Sequence, residues 1–429
     1  MKEIVLKSTD VSDKKVVFNF SYSEELSSFF RDTKFILEYS ESIAEVPEEV
    51  LNIVFVANVL PIIWITDTVL KIKKLDKAFF DCLTDLKNGY VDMYPETDFL
   101  GKIAVEEIIE SKRKCDEGKC AMFYSGGVDS VNTLINHFDS KPVLVSIWGS
   151  DVDYDNADGW KPILNNLINT SEQYDLPYVT VHSSFREFDN EYNLNRRYSA
   201  QLQASWWLGV KHGISIISHA APIAYIHNLQ TVYIASSYNK NDIDVRGASY
   251  PTLDNCVRFC DCKIIHDGFE LNRQERINNI VRFCKERDIR FSLHVCWESQ
   301  SGTNCGHCEK CCRTMVGIFT AGGEPEEYGF TDVRKNMSKI KENLFEVERY
   351  YYDFRVLWDD IQKDFIKNAD MLKKSPYWKY TKWILKADFL HPETLKIPLH
   401  VRIRKAEKFR NKLSHFKFYQ LLHNIKSRG

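Results

Sequence analysis

Six consecutive residues, Ser125-Gly126-Gly127-Val128-Asp129-Ser130, constrain this chain more than any other stretch. They follow a short apolar run, Cys120 to Tyr124, with the length of a buried strand. Beyond them Val131, Leu134, Ile135 and Phe138 recur at i, i+3, i+4 and i+7, one face of a helix. A glycine-rich turn therefore joins a strand to a helix N-terminus. The glycines let backbone approach a ligand, free N–H groups point at it, and the helix dipole favours negative charge. The hydroxyls of Ser125 and Ser130 can add hydrogen bonds to phosphate oxygens. Asp129 repels a bare phosphate, so it calls for a cation such as Mg²⁺ in the same site. The Gly-Lys-Ser/Thr ending of a Walker loop is missing.

A second pattern lies downstream. Cys296, Cys305, Cys308 and Cys311 are spaced C-x8-C-x2-C-x2-C. Four thiolates at such spacing suit a closed, tetrahedral and therefore structural zinc site. Gly306 permits a tight turn between ligands, and Cys312 or His307 could substitute as ligands. Free buried cysteines or an iron–sulfur cluster are the alternatives.

The six-residue turn matches the SGGxDS loop of the PP-loop ATP pyrophosphatases. Together with the cysteine spacing, it resembles the 7-cyano-7-deazaguanine synthase branch over about residues 118–320. The resemblance implies an adenine nucleotide alpha hydrolase-like fold and cleavage of ATP to AMP and pyrophosphate. It also implies activation of a carboxylate as an adenylate, then attack by ammonia. Ser125, Gly126, Gly127, Val128, Asp129 and Ser130 take the nucleotide-binding role, with Ser125, Asp129 and Ser130 nearest the chemistry; the four cysteines take the zinc role. ATP, Mg²⁺ and Zn²⁺ are the cofactors implied. The chain departs from the branch at Gly149 to Tyr154, where those enzymes carry a Gly-Gln-Arg-His type of loop, so the substrate does not carry over. It also has about 115 residues before this region and about 100 after it, so it resembles an elaborated relative.

Strands are expected at 120–124, 142–148, 178–182, 231–236 and 290–294, with helices between, one of them around Ser199 to Val210. Ile214 to Asn228 reads as either strand or helix. The alternation predicts an α/β fold with a doubly wound, mostly parallel sheet, whose ligands bind beyond the carboxyl ends of the strands. Residues 1–112 read as an N-terminal α+β domain, 113–325 as the PP-loop domain with its zinc knuckle at 296–312, and 326–429 as a helical, basic region. The apolar stretch Val50 to Thr66 contains Asn52, Asn58 and Pro61 and reads as buried core, not as a membrane span. Met1 to Lys7 carry no signal-peptide pattern, and cysteine use with ATP chemistry suits a reducing cytoplasm.

Substrate candidates are Ser236, Ser237 and Tyr250 around the polar loop Asn239 to Asn255, and Arg273 or Arg276 toward a phosphate or carboxylate. Cys256, Cys260 and Cys262 are the thiols available to an alternative chemistry, sulfur transfer to a nucleobase; the plainer reading is three small packed residues. A third reading is a nucleotide-binding scaffold without turnover. Residues 371–429 hold fifteen Lys/Arg against three Asp/Glu, a net +12 that leaves −15 for residues 1–370 of a chain at −3. Tyr377, Trp378, Tyr380, Trp383 and Phe389 interleave with Lys374, Lys379, Lys382 and Lys386. Such a surface suits RNA, an anionic membrane surface or an acidic protein, or else neutralises the chain's own acidic body.

Overall fold

The computed structural model describes residues 2–111, 115–242, 245–296, 298–299, 301–346 and 348–391. The chain divides into two compact units, residues 1–303 and 304–429.

The first unit is α/β. In chain order it holds β1 (Glu3–Ser12), β2 (Lys15–Tyr22), β3 (Lys34–Tyr39), α1 (Glu48–Ile65), β4 (Val69–Asp76), α2 (Lys77–Met93) and β5 (Lys102–Ile109). Next come β6 (Cys120–Phe123), α3 (Val128–Asn136), β7 (Val143–Trp148), α4 (Ala157–Tyr174), β8 (Tyr178–Ser183) and α5 (Glu191–Leu202). The unit closes with α6 (His212–Ser218), α7 (Ala220–His227), β9 (Thr231–Ala235), α8 (Pro251–Asp254), β10 (Arg258–Phe259), β11 (Cys262–Asp267) and α9 (Arg273–Arg287). All eleven strands form one sheet in the order β10-β11-β9-β6-β7-β8-β3-β2-β1-β4-β5.

Strands β11, β9, β6, β7 and β8 run parallel. β3 joins β8 antiparallel, with Leu37 opposite Ser183 and Tyr39 opposite Val181. Strands β1 to β5 and β6 to β11 thus share one sheet, on either side of the domain boundary that the sequence suggests at residue 112. β6 is followed by a strand on one side, β7, while β9 returns to its other side. The strand order reverses between β6 and β9, and in open sheets of this kind the crevice lies at such a switch point, beyond the carboxyl ends.

α1 shows why Val50 to Thr66 carries polar residues yet lies inside. It is apolar all round, and the window long and apolar enough to cross a membrane is 89% buried in the protein. Asn52 donates to Lys74 O (2.9 Å) and accepts from Thr9 Oγ1 (2.6 Å), while Asn58 donates to Val54 O (2.8 Å). Both amide N–H₂ groups therefore recover hydrogen bonds lost to water.

Ile214 to Asn228, readable as strand or helix, is helical, in α6 and α7. Two local expectations change. The helix expected over Ser199 to Val210 instead ends at Leu202: Gln203 takes a left-handed φ of 52°, and a π-helical turn, Trp207–Lys211, starts afresh. Lys211 on that turn is fully buried, bonded to Asp189 Oδ2 (2.5 Å) and Phe185 O (2.6 Å). Residues 290–294 do not join the sheet. Their backbone is held by side chains, with Asn166 Nδ2 donating to Ser292 O (3.1 Å) and the Tyr174 hydroxyl accepting from Arg290 N (3.1 Å).

His219, fully buried, supplies a pH dependence. Its Nδ1 donates to Ser215 O (2.7 Å), so Nε2 accepts from Ser183 Oγ (2.8 Å) in a neutral ring. Burial pulls its pKa from 6.5 down to about 4. The unfolded chain therefore binds a proton that the folded chain refuses between these values. Stability is complete above about pH 6.5 and falls progressively toward pH 4, by about 3 kcal/mol from this group. Urea midpoints across pH 7.5 to 4 should show the loss, and His219→Gln should flatten it. An unchanged slope in that variant would contradict this account.

The second unit holds α10 (Glu309–Thr320), α11 (Val333–Glu346), α12 (Glu348–Lys367), α13 (Ala369–Leu372) and α14 (Trp378–Thr381). The buried Glu309 carboxylate accepts from Arg313 Nε (2.8 Å) and Trp358 Nε1 (2.9 Å). The tail aromatics pack inward here. Trp378 stacks on Phe365 (5.7 Å, 10°), Phe389 on Trp358 (5.7 Å, 21°), and Tyr377 is buried with its hydroxyl on Glu326. Lys374, Lys379, Lys382 and Lys386 are exposed. Of the interleaved residues, Tyr377 and Phe389 are thus buried, Trp378, Tyr380 and Trp383 half-buried, and the lysines outside. The rest of the basic stretch, 392–429, lies outside the described residues.

Candidate functional site

The turn after β6 sits at the mouth of the β6/β9 crevice. Gly126 adopts φ +73°, which favours glycine, and a Cβ there would lie 2.6 Å from Asn166 Nδ2, which would have to shift. Gly127 caps α3 without any side-chain hydrogen bond to the helix start. The loop is closed by its own serines. Ser130 Oγ donates to Gly127 O (3.1 Å) and stands 3.3 Å from Ser125 Oγ. Ser130 is buried and occupied within the loop, whereas Ser125 is exposed. Val128 is core. The N–H of His294 donates to Gly126 O (2.8 Å), so the extended 290–296 segment fixes the loop from outside.

Asp129 does not stand alone with a vacant carboxylate. Arg273 Nη1 lies 2.9 Å from Oδ2 and Arg276 Nη1 2.6 Å from Oδ1. The two arginines expected to meet a phosphate or carboxylate both meet this one. Arg276 is almost wholly buried and also donates to Ser236 O (2.7 Å), Tyr238 O (2.6 Å) and Gly268 O (3.0 Å). Its fork ties α3, the end of β9 and the end of β11 together.

Ser236 belongs to this same structural network. His266 Nε2 lies 2.7 Å from Ser236 Oγ, and His266 Nδ1 2.7 Å from Asp254 Oδ2, which also accepts from Ser249 Oγ (2.7 Å). The line Ser236–His266–Asp254 has the order of a hydrolase triad. All three residues are buried, and Ser236 Oγ is also bonded to Tyr238 O (2.8 Å), so a substrate carbonyl has no approach. The line instead ties Asp254 to the ends of β9 and β11. Ser237 is exposed, and Tyr250 meets Phe269 edge to face (5.0 Å). His266 and Asp254 escaped the sequence reading because each lies on a separate element with no local signature. Of the substrate candidates, Ser237 keeps an exposed position, while Ser236, Arg273 and Arg276 are engaged within the protein.

The ends of β7 and β8 are also brought together. The His182 ring lies between Trp148 (3.8 Å) and Tyr154 (4.1 Å), and its Nε2 sits 2.8 Å from Tyr154 O. Gly149 has φ +105°, and a Cβ would stand 2.1 Å from Ser183 O. The Gly149 to Tyr154 loop is therefore rigidly seated beside the crevice. A separate cavity of about 650 Å³, lined by Lys119, Lys141 and His227 among others, lies at the opposite, amino ends of the strands.

Four of the cysteines form a cluster that could hold a metal ion. The sulfur atoms of Cys296, Cys305, Cys308 and Cys311 all lie within 4.8 Å of one another. Thiolates about 2.3 Å from a tetrahedral zinc stand about 3.8 Å apart, so the set fits that ion. Backbone N–H groups already point at sulfur, from Cys308 to Cys305 Sγ (3.3 Å) and from Cys311 to Cys308 Sγ (3.4 Å). Gly306 turns the knuckle at φ +72°, and a Cβ there would strike Asn336 Nδ2 at 2.2 Å. Cys312 and His307 are not members.

Cys256, Cys260 and Cys262 pack on the hydrophobic core, and burial raises the pKa of each thiol above its ordinary value. No disulfide joins any of the cysteines among the described residues. Comparison with protein-family models, curated proteins and solved structures finds no match.

Proposed function

We propose that this chain is an ATP pyrophosphatase of the PP-loop kind. It would transfer AMP to a carboxylate, release pyrophosphate, and expose the activated carbonyl to ammonia, in the manner of 7-cyano-7-deazaguanine synthase. The observation that carries this reading is the strand–Ser125-to-Ser130–helix turn at the point where the strand order reverses. The N-terminal end of α3 and the exposed Ser125 hydroxyl would receive phosphate oxygens. Asp129 is the residue that would hold Mg²⁺, which when bound would neutralise charge on the leaving pyrophosphate. Arg273 and Arg276 add positive charge beside it. The chain's own contribution to rate is positioning and charge stabilisation. The cysteine cluster is structural, and the zinc reading of it rests on its sulfur donors.

Isotope exchange tests the reading: labelled pyrophosphate should enter ATP only when a competent carboxylate is supplied. A compartment with ATP and reduced thiols, such as the cytoplasm, suits the chain. Exposed lysines in 374–386 fit docking of an acidic partner such as RNA, an anionic surface or a protein.

Sulfur transfer is the weaker reading, because a buried thiol of raised pKa is a poor nucleophile. The double variant Cys260→Ala/Cys262→Ala is expected to keep product formation within about twofold. Retained ATP cleavage with lost product would move the assignment to sulfur transfer.

A further inference from the structure

Asp129 calls for a cation beside it, and the protein supplies two of its own. One carboxylate faces two guanidinium groups at 2.9 and 2.6 Å, a local net charge of +1 by residue type. The arginines differ in burial. Arg276 is 2% exposed and bound to three carbonyls besides Asp129. Its carbonyl partner Ser236 is locked in turn by His266 and Asp254. If the Asp129 carboxylate turned away, a buried guanidinium would lose its counter-charge, which is strongly unfavourable. Arg273 is 17% exposed and opens α9, so its guanidinium has room to leave one anion for another. Free Mg²⁺ sheds its water reluctantly and usually binds through one or two carboxylates together with substrate phosphates. Here the carboxylate is already engaged on both oxygens.

We propose that Arg273 and Arg276 are the resident counter-cation of Asp129. The loop then accepts a pyrophosphate-class anion without a divalent metal, and takes the metal only together with that anion. Arg276 is the positioning residue that keeps Asp129 in place. Arg273 is the residue that shifts toward the incoming phosphate. The inference rests on Ser125 to Ser130 being a phosphate loop.

The test uses full-length, zinc-loaded protein and inorganic pyrophosphate in buffer freed of other divalent ions. Calorimetry follows pyrophosphate, and water-proton relaxation follows Mn²⁺ with and without it. Pyrophosphate is expected to bind without added metal. Mn²⁺ is expected to give enhancement only when pyrophosphate is present, and Asp129→Asn is expected to lose that ternary signal. Arg273→Gln should weaken metal-free pyrophosphate binding about tenfold and admit free Mn²⁺, with Arg273→Lys recovering part of the anion binding. Two wild-type results would overturn the inference alone: pyrophosphate binding that strictly needs a metal, or free Mn²⁺ binding that Asp129→Asn abolishes. Failure to bind pyrophosphate under any condition would overturn the phosphate-loop reading itself.

Discussion

Cys308→Ser is expected to empty the cysteine cluster and leave the protein unstable or insoluble. Cys308 is buried, contributes one of four sulfurs within 4.8 Å, and caps the start of α10 by accepting from Cys311 N (3.4 Å). Metal binding at a four-cysteine site of this kind carries about 10 kcal/mol or more of apparent free energy, comparable with the whole stability of a domain. The consequence reaches the crevice as well. Cys296 lies two residues after His294, whose N–H holds the phosphate-loop turn through Gly126 O. Loss of the metal should therefore loosen both the knuckle and the turn. Elemental analysis should show about one zinc per wild-type chain. Chelation should lower the melting temperature and weaken pyrophosphate binding together. Metal-free protein with unchanged melting would remove zinc from the account, and brown protein with iron absorbance would replace it with a cluster.

Asp129→Asn is expected to lower ATP cleavage by about 10²-fold or more, because the charge that orients cation and phosphate is gone. The structure adds a cost: Arg276, 2% exposed, would keep its three carbonyl partners but lose its counter-ion. Breaking a buried pair in this way costs about 3 kcal/mol. Urea unfolding at neutral pH measures that loss independently of turnover. Wild-type stability in the variant would contradict the placement of Arg276, while wild-type ATP cleavage would contradict the role of Asp129.

The parts of this fold that are legible in the sequence are those encoded locally. The turn 125–130 announces itself through two glycines between an apolar run and a helical stripe, and strands 143–148, 178–183 and 231–235 fall where their β-type runs do. The four-cysteine set is likewise written in spacing, since three of its ligands lie within seven residues. What escapes depends on tertiary pairing. The segment 290–294 has strand composition, but its backbone partners are side chains from α4 and the turn at Gly126. β3 pairs with β8 across more than 140 residues, which no local pattern near residue 112 signals. Arg276 reads as an anion binder, yet the anion it meets is the protein's own Asp129. The tail aromatics look like a recognition surface because lysines alternate with them, but the helical fold turns the rings onto Phe365 and Trp358.

The central claim is cleavage of ATP between its α and β phosphates at the Ser125-to-Ser130 turn. The most direct measurement is phosphorus NMR of ATP incubated with the full-length protein, Mg²⁺, ammonia and a panel of carboxylates, with Asp129→Asn as the parallel sample. The account predicts AMP and pyrophosphate in equal amounts from the wild-type protein with a competent carboxylate, and neither from the variant. ADP and inorganic phosphate as the products would contradict it.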